Sequence, residues 1–199
     1  VVARRLIAER CLYGVDINPL GVELAKLSIW LVTLSKGRPF GFLDHNLRSG
    51  DSLLGLHRVE QLTELSMAPT GKGQLRLFGQ NIESAVREAI EMRKTLRLTS
   101  IRDVHDVEVM SQLDSNAREK LEVSERIADG FVGAVLATGG SGASYENEIA
   151  TLAAHAGQAV GGNAQSLIAL KKRAKDLLST DLPADKPLRR PFHWALEFP

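Results

Sequence analysis

"YGVDINPLGVELAKLSIWL", residues 13–31, decides how the rest of the chain is read. An acidic residue, Asp16, stands at the end of a short β-like run, and an Asn-Pro step follows at once. Asn18 is a good N-cap, and Pro19 suits the first helical position, where a missing N–H costs nothing. The spacing predicts a helix from Pro19 to about Leu34, stopped by Gly37 and Pro39. Leu20, Leu24, Leu27, Leu31 and Leu34 form one stripe, while Ile29, Trp30 and Val32 cover much of the remaining surface. A helix apolar most of the way round must be covered on most sides, as a helix lying against a sheet is.

Upstream, "VVARRLIAER" (1–10) carries Val2, Leu6 and Ile7 on one helical face, with Arg4, Arg5, Glu9 and Arg10 off it. "CLYGVD" (11–16) lacks alternation and is expected as a strand buried on both faces. "HNLRSGDSLLG" (45–55) reads as a second short strand with a Gly-Asp turn. Downstream the character changes. "NIESAVREAIEMRKTLRL" (81–98) has Ile82, Ala85, Ala89, Met92 and Leu96 as its stripe. From Asp103 to about Ala137 a longer stripe runs through Val107, Met110, Leu113, Ala117, Leu121, Ala128, Phe131 and Val135. That near-heptad spacing predicts an antiparallel hairpin or short bundle. "MAPTGKGQ" (67–74) reads as a linker, "ATGGSGASYENE" (137–148) as a flexible loop, "AQSLIALKKRAKDLLST" (164–180) as a further helix, and "DLPADKPLRRPF" (181–192) as a Pro-rich connector.

Composition narrows the function classes. The chain is 44% hydrophobic, 25% charged and 5% aromatic, with net charge +1, so no overall field draws it to DNA or membranes. Charge is uneven: residues 61–170 hold ten Lys/Arg against fourteen Asp/Glu, a balance of −4, and residues 171–190 hold seven against three, a balance of +4. The single cysteine, Cys11, excludes an internal disulfide and a multi-Cys zinc site, fits a cytoplasmic location, and is expected in the core. His45, His57, His105, His155 and His193 have no metal-ligand spacing and are expected at surfaces or turns. Asp44, His45 and Asn46 point apart if the chain is extended there, which argues against a shared metal. The basic run 171–190 could add a salt-dependent contact to phosphate, or be a solvated helix end.

Two carboxylates are candidate site residues. In open α/β sheets, ligands bind beyond the carboxyl ends of parallel strands. Asp16 is placed to accept from a ribose diol there, with the helix N-terminus nearby to favour its ionised form. On spacing alone, Asp16 fits a capped turn as well. Asp51, in "SGDSLLG", repeats the arrangement beside Gly50 and fits either an adenine amino group or an ordinary Gly-Asp turn.

"YGVDINPLGVELAKLSIWL", "RPFGFLDHNLRSGDSLLG" and "PFHWALEFP", in that order, resemble the interior of class I DNA adenine-N6 methyltransferases. The likeness is to the large enzymes of restriction-modification and phage-defence systems, Eco57I-like and BREX-type, and covers residues 1–57 and 191–199. It implies an α/β fragment of a Rossmann-like domain (1–57), a large, mainly helical insertion (58–190), and a lead-in to a catalytic strand (191–199). It implies S-adenosylmethionine as cofactor, with Asp16 on the ribose hydroxyls, Ile17 on the adenine ring, and Asp51 with Ser52 at the adenine edge. Double-stranded DNA with an extruded adenine would be the substrate, defence-system subunits possible partners, and no membrane is implied. Neither the Gly-rich loop nor the Asn-Pro-Pro-aromatic tetrapeptide of that family occurs in the 199 residues. No catalytic residue is therefore assigned; the chain is expected to be an internal piece, inactive in methyl transfer alone. Residues 1–57 are then expected to be poorly folded, self-associating, or resting on the insertion. Two alternatives stand beside this reading: a non-catalytic helical module for protein or DNA interaction, and a methyltransferase acting on RNA or protein.

Overall fold

The computed structural model describes residues 2–34, 43–70, 78–99, 101–183 and 185–198. The expected stop at Gly37 and Pro39, and much of the linker at 67–74, lie outside them. In chain order the elements are α1 (Val2–Cys11), β1 (Gly14–Asp16), α2 (Pro19–Thr33), β2 (Leu47–Ser49), α3 (Val59–Glu64), α4 (Gly79–Leu98), α5 (Val104–Thr138), α6 (Gly142–Val160), α7 (Ala164–Leu178) and α8 (Trp194–Glu197). They form two compact units. One combines Val1–Ser52 with Glu88–Lys120, and the other combines Leu53–Arg87 with Leu121–Pro199. α4 and α5 each contribute residues to both.

The first unit is built on a β1-α2-β2 crossover. The two strands pair in parallel, with Gly14 opposite Leu47, Val15 opposite Arg48 and Asp16 opposite Ser49. A parallel pair needs a long connection, and α2 provides it. Its start is specified locally: the Asn18 side chain accepts from the Leu20 N–H at 3.0 Å, and Pro19 opens the first turn. One face of α2 packs down through Val22, Ala25 and Ile29 on Leu43 and Leu47. Lys26 lies on the same side, 8% exposed, held by Asp44 at 2.6 Å and Glu23 at 2.7 Å. Burial alone would lower the Lys26 pKa, but these two carboxylates outweigh it and hold it above the ordinary lysine value.

Asn46 is fully buried and donates to the carbonyls of Ala8 and Glu9 at 3.2 and 3.0 Å, tying the end of α1 to the sheet. Asp44, His45 and Asn46 indeed send their side chains to different places. On the other side, Arg48 of β2 meets Asp114 of α5 at 2.7 Å, with both side chains buried. Residues 88–120 add a small core of Leu96, Ile101 and Met110, flanked by Val107 and Leu113. Residues 2–52 therefore rest partly on the helical region.

The second unit contains a three-helix arrangement. The C-terminal half of α5 packs on α6 and α7, and α6 packs on α7. Gly130 lies under Leu152, and Gly133 lies against Leu177 and Leu178, so the small residues of α5 set the close approach. Ile127, Ala128 and Phe131 of α5, Ile149, Leu152 and Ala156 of α6, and Leu170 and Ala174 of α7 are buried.

Several expectations are corrected. Residues 142–148 begin α6 instead of a loop; the turn itself is confined to Gly139, Gly140 and Ser141, with Gly139, Gly140 and Gly142 in the left-handed region. The strand in 11–16 spans Gly14–Asp16, and Cys11 closes α1 and is exposed instead of core. Leu6 and Ile7 are exposed at 44% and 51%, and Ala8 carries the contact of α1. His45 and His193 are buried instead of superficial. Among the described residues, no helix is long and apolar enough to cross a membrane.

Candidate functional site

Parallel pairing fixes the rim on which the candidate carboxylates lie. Asp16 is the last residue of β1, and its partner Ser49 is the last of β2. The Gly50 N–H donates to the Asp16 carbonyl at 2.9 Å, extending the ladder by one step. Asp51 and Ser52 follow directly, so Asp16, Ile17, Asp51 and Ser52 all leave the carboxyl end of one two-stranded layer. This is the rim at which α/β folds bind ligands.

The Asp16 carboxylate has a definite setting. Its Oδ1 accepts from the Asn18 N–H at 2.7 Å, closing a turn into α2. The capping reading and the ligand reading thus apply to the same side chain, because a carboxylate has lone pairs beyond the one this bond uses. Gly21 sits directly beneath it: a Cβ there would come within 3.3 Å of both Cγ and Oδ2 of Asp16. Sequence reasoning passed over Gly21; its signal was a glycine in the first turn of a helix otherwise rich in good helix formers. Asp16 itself is exposed, and Ile17 is 66% exposed, offering an apolar side chain beside an acidic one. Asp51 and Ser52 are half-buried.

The remaining candidates resolve into structural roles. His193 is 4% exposed; its Nδ1 accepts from the Leu56 N–H at 3.3 Å, and its Nε2 lies 3.1 Å from Asp129 Oδ1. That pairing assigns the proton to Nε2. The segment it belongs to docks along residues 54–56: Phe192 N–H donates to the Leu54 carbonyl at 2.7 Å, and Ala195 N–H to the Leu56 carbonyl at 3.4 Å. Gly55 is necessary here, because a Cβ would run into the Phe192 carbonyl. The "GDSLLG" and "FHWALEF" motifs, far apart in sequence, are thereby joined. Phe192, Trp194 and Phe198 pack as an aromatic trio with centroids 5.1 to 5.9 Å apart.

Three of the seven cations of the basic run, Lys171, Arg173 and Arg189, are engaged inside its own unit. Lys171 pairs with Glu122 at 2.6 Å, which holds the Glu122 carboxyl below its ordinary value. Arg173 grips Glu148 with bonds of 2.6 and 3.0 Å. Arg189 donates to the Leu178 and Thr180 carbonyls at 2.8 and 2.6 Å, capping the end of α7. Lys171, Lys172, Lys175, Lys186 and Arg190 are the exposed cations of that stretch. Among the described residues, no group of three or more His, Cys, Asp or Glu side chains is placed to hold a metal ion. No family model matches the chain, and no curated protein or solved structure matches it either.

Proposed function

We propose that the chain is part of a DNA adenine-N6 methyltransferase acting in the cytoplasm, in restriction-modification or phage defence. The observation that carries this reading is the shared rim: Asp16 ends β1, and Asp51 lies two residues past the end of its parallel partner β2. S-adenosylmethionine, when bound, supplies the methyl group. Toward it, Asp16 would accept hydrogen bonds from the ribose hydroxyls, for which an exposed carboxylate backed by a helix start is suited. Ile17 would lie against the adenine ring, and Asp51 with Ser52 would meet its amino edge. Gly21 supports this assignment by giving the Asp16 carboxylate room over the first turn of α2. The substrate would be an adenine extruded from double-stranded DNA, with the base-reading groups supplied from outside these 199 residues.

Isothermal titration tests the reading. S-adenosylhomocysteine should bind the chain weakly, at about the millimolar level expected when half of a ligand is gripped, near 4 kcal/mol. Asp16→Ala should abolish the heat. Equal binding by the variant would refute the assignment.

A further inference from the structure

His193 is held from two sides by partners that make opposite demands on its charge. The residue is 4% exposed, and Leu56 and Asp129 belong to the same compact unit as the ring they bind. Nδ1 accepts from the Leu56 N–H at 3.3 Å, which a ring with a proton on Nδ1 cannot do. Nε2 donates to Asp129 Oδ1 at 3.1 Å, and a charged ring makes that bond more strongly than a neutral one. A second proton on the ring therefore strengthens one contact and removes the other, because Nδ1–H would face the Leu56 N–H, donor against donor.

The bond that this proton removes is one of three that dock residues 192–198 on residues 54–56. The other two run from the Phe192 N–H to the Leu54 carbonyl at 2.7 Å and from the Ala195 N–H to the Leu56 carbonyl at 3.4 Å. Two of the three are thus long, and long bonds are weak ones. The backbones also approach closely: a Cβ on Gly55 would stand 2.0 Å from the Phe192 carbonyl oxygen. A ring that has to back away from Leu56 takes its own backbone out of that close seat. The surrounding charges favour the proton. Asp129 and Glu125 of α5 stand against one cation, Arg126, which donates to Asp129 Oδ2 at 2.8 Å and lies 3.7 Å from Glu125. Glu197 is the charged residue of α8, and on the facing stretch His57 and Arg58 are exposed. We propose that His193 is a proton-operated catch: neutral, it docks 192–198 on 54–56, and protonated, it keeps Asp129 and releases the segment. Docking and the proton compete for one nitrogen, so docking is complete at higher pH and is lost as pH falls. Every group in the catch belongs to this chain, so it works with or without a methyl donor.

Amide hydrogen exchange of the full 199-residue chain reads this at about pH 8 and about pH 5, either side of the ordinary histidine value, once intrinsic rates are divided out. Protection at Leu56, Phe192 and Ala195 should fall at least roughly tenfold in acid, while the Leu152 and Leu170 amides in α6 and α7 keep theirs. The midpoint of the fall should coincide with that of the His193 ring, followed by its nitrogen chemical shifts. Asp129→Asn keeps an oxygen for Nε2 but removes the charge, and should lower that midpoint by about one pH unit, a tenfold loss of proton affinity. His193→Asn sets an uncharged acceptor near the place of Nδ1, and protection should then be the same at both pH values. Protection in the unaltered chain that does not change with pH overturns the proposal, and so does a loss shared by Leu152 and Leu170. A midpoint that departs from the ring's, or that Asp129→Asn leaves in place, overturns it too, as does a pH-dependent loss that survives in His193→Asn.

Discussion

Gly50 donates its backbone N–H to the carbonyl of Asp16 at 2.9 Å, one step beyond the last paired residues of β1 and β2. That bond carries the parallel register past the strand ends and brings the chain leading into Asp51 to the rim that Asp16 occupies. One carboxylate ends β1 and another lies just past β2 at the same edge, because the strands run the same way and end in register. A one-residue slip would shift Asp51 along the rim and reverse which faces Leu47 and Arg48 present.

Gly21 should separate stability from binding. Alanine is the better helix former by about 0.8–1 kcal/mol, so Gly21→Ala is expected to hold or raise the thermal midpoint. The new Cβ would lie 3.3 Å from the Asp16 carboxyl carbon, displacing that side chain by a few tenths of an ångström. The proposed nucleoside binding should fall severalfold in the same variant, as read by titration beside a melting curve.

Arg48 and Asp114 form a buried ion pair at 2.7 Å. Removing one partner strands the other, so Asp114→Ala should cost about 3–5 kcal/mol. Replacing both with apolar groups, Arg48→Met with Asp114→Leu, should recover most of that loss. Trp30 lies in the same unit and Trp194 in the other, so urea unfolding followed by Trp30 fluorescence in a Trp194→Phe background isolates the effect.

His45 makes the first unit sensitive to acid. Burial, joined by the neighbouring Arg48 against the pull of Asp114, pushes its pKa down to about 4 from 6.5. The unfolded chain therefore binds the proton more readily between those values. Stability from this group is fully present above about pH 6.5 and is lost as pH falls toward 4, by up to about 3 kcal/mol. His45→Gln should flatten that part of the stability profile, measured by urea midpoints at intervals across the range.

His193 should hold the 192–198 segment to residues 54–56. His193→Ala removes the acceptor of the Leu56 N–H and one of the two partners of Asp129, the other being Arg126, at a cost of about 1–3 kcal/mol. Hydrogen exchange should then speed up at Leu56, Phe192 and Ala195 together, because their bonds form one docked patch. Unchanged protection at Phe192 would mean that the aromatic trio alone holds the segment.

Much of the helical architecture was legible because its signals are local. Asn18 and Pro19 marked the start of α2, and the stripes of α4 and α5 matched residues that are buried or half-buried. α6 was hidden because its first turns, "GASYENE", follow a glycine cluster and carry no apolar stripe; its buried residues, from Ile149 on, come later. His45, His193 and Asp114 were unreadable as buried groups because their partners lie 64 or more residues away, or are backbone atoms. The leucine stripe of α2 was plain in the sequence, but periodicity cannot say which of two apolar faces a fold will cover. The placement of Asp16 and Asp51 was legible in outline, as two strand ends; their common rim depended on the parallel register, which composition and spacing do not encode.

The most direct test of the proposed nucleoside site is an amide spectrum of the isotopically labelled chain during titration with S-adenosylhomocysteine. Shifts are expected to concentrate at Asp16, Ile17, Gly50, Asp51 and Ser52, and to be absent in Asp16→Ala. Shifts confined to other parts of the chain, or none at ligand concentrations of several millimolar, would contradict it.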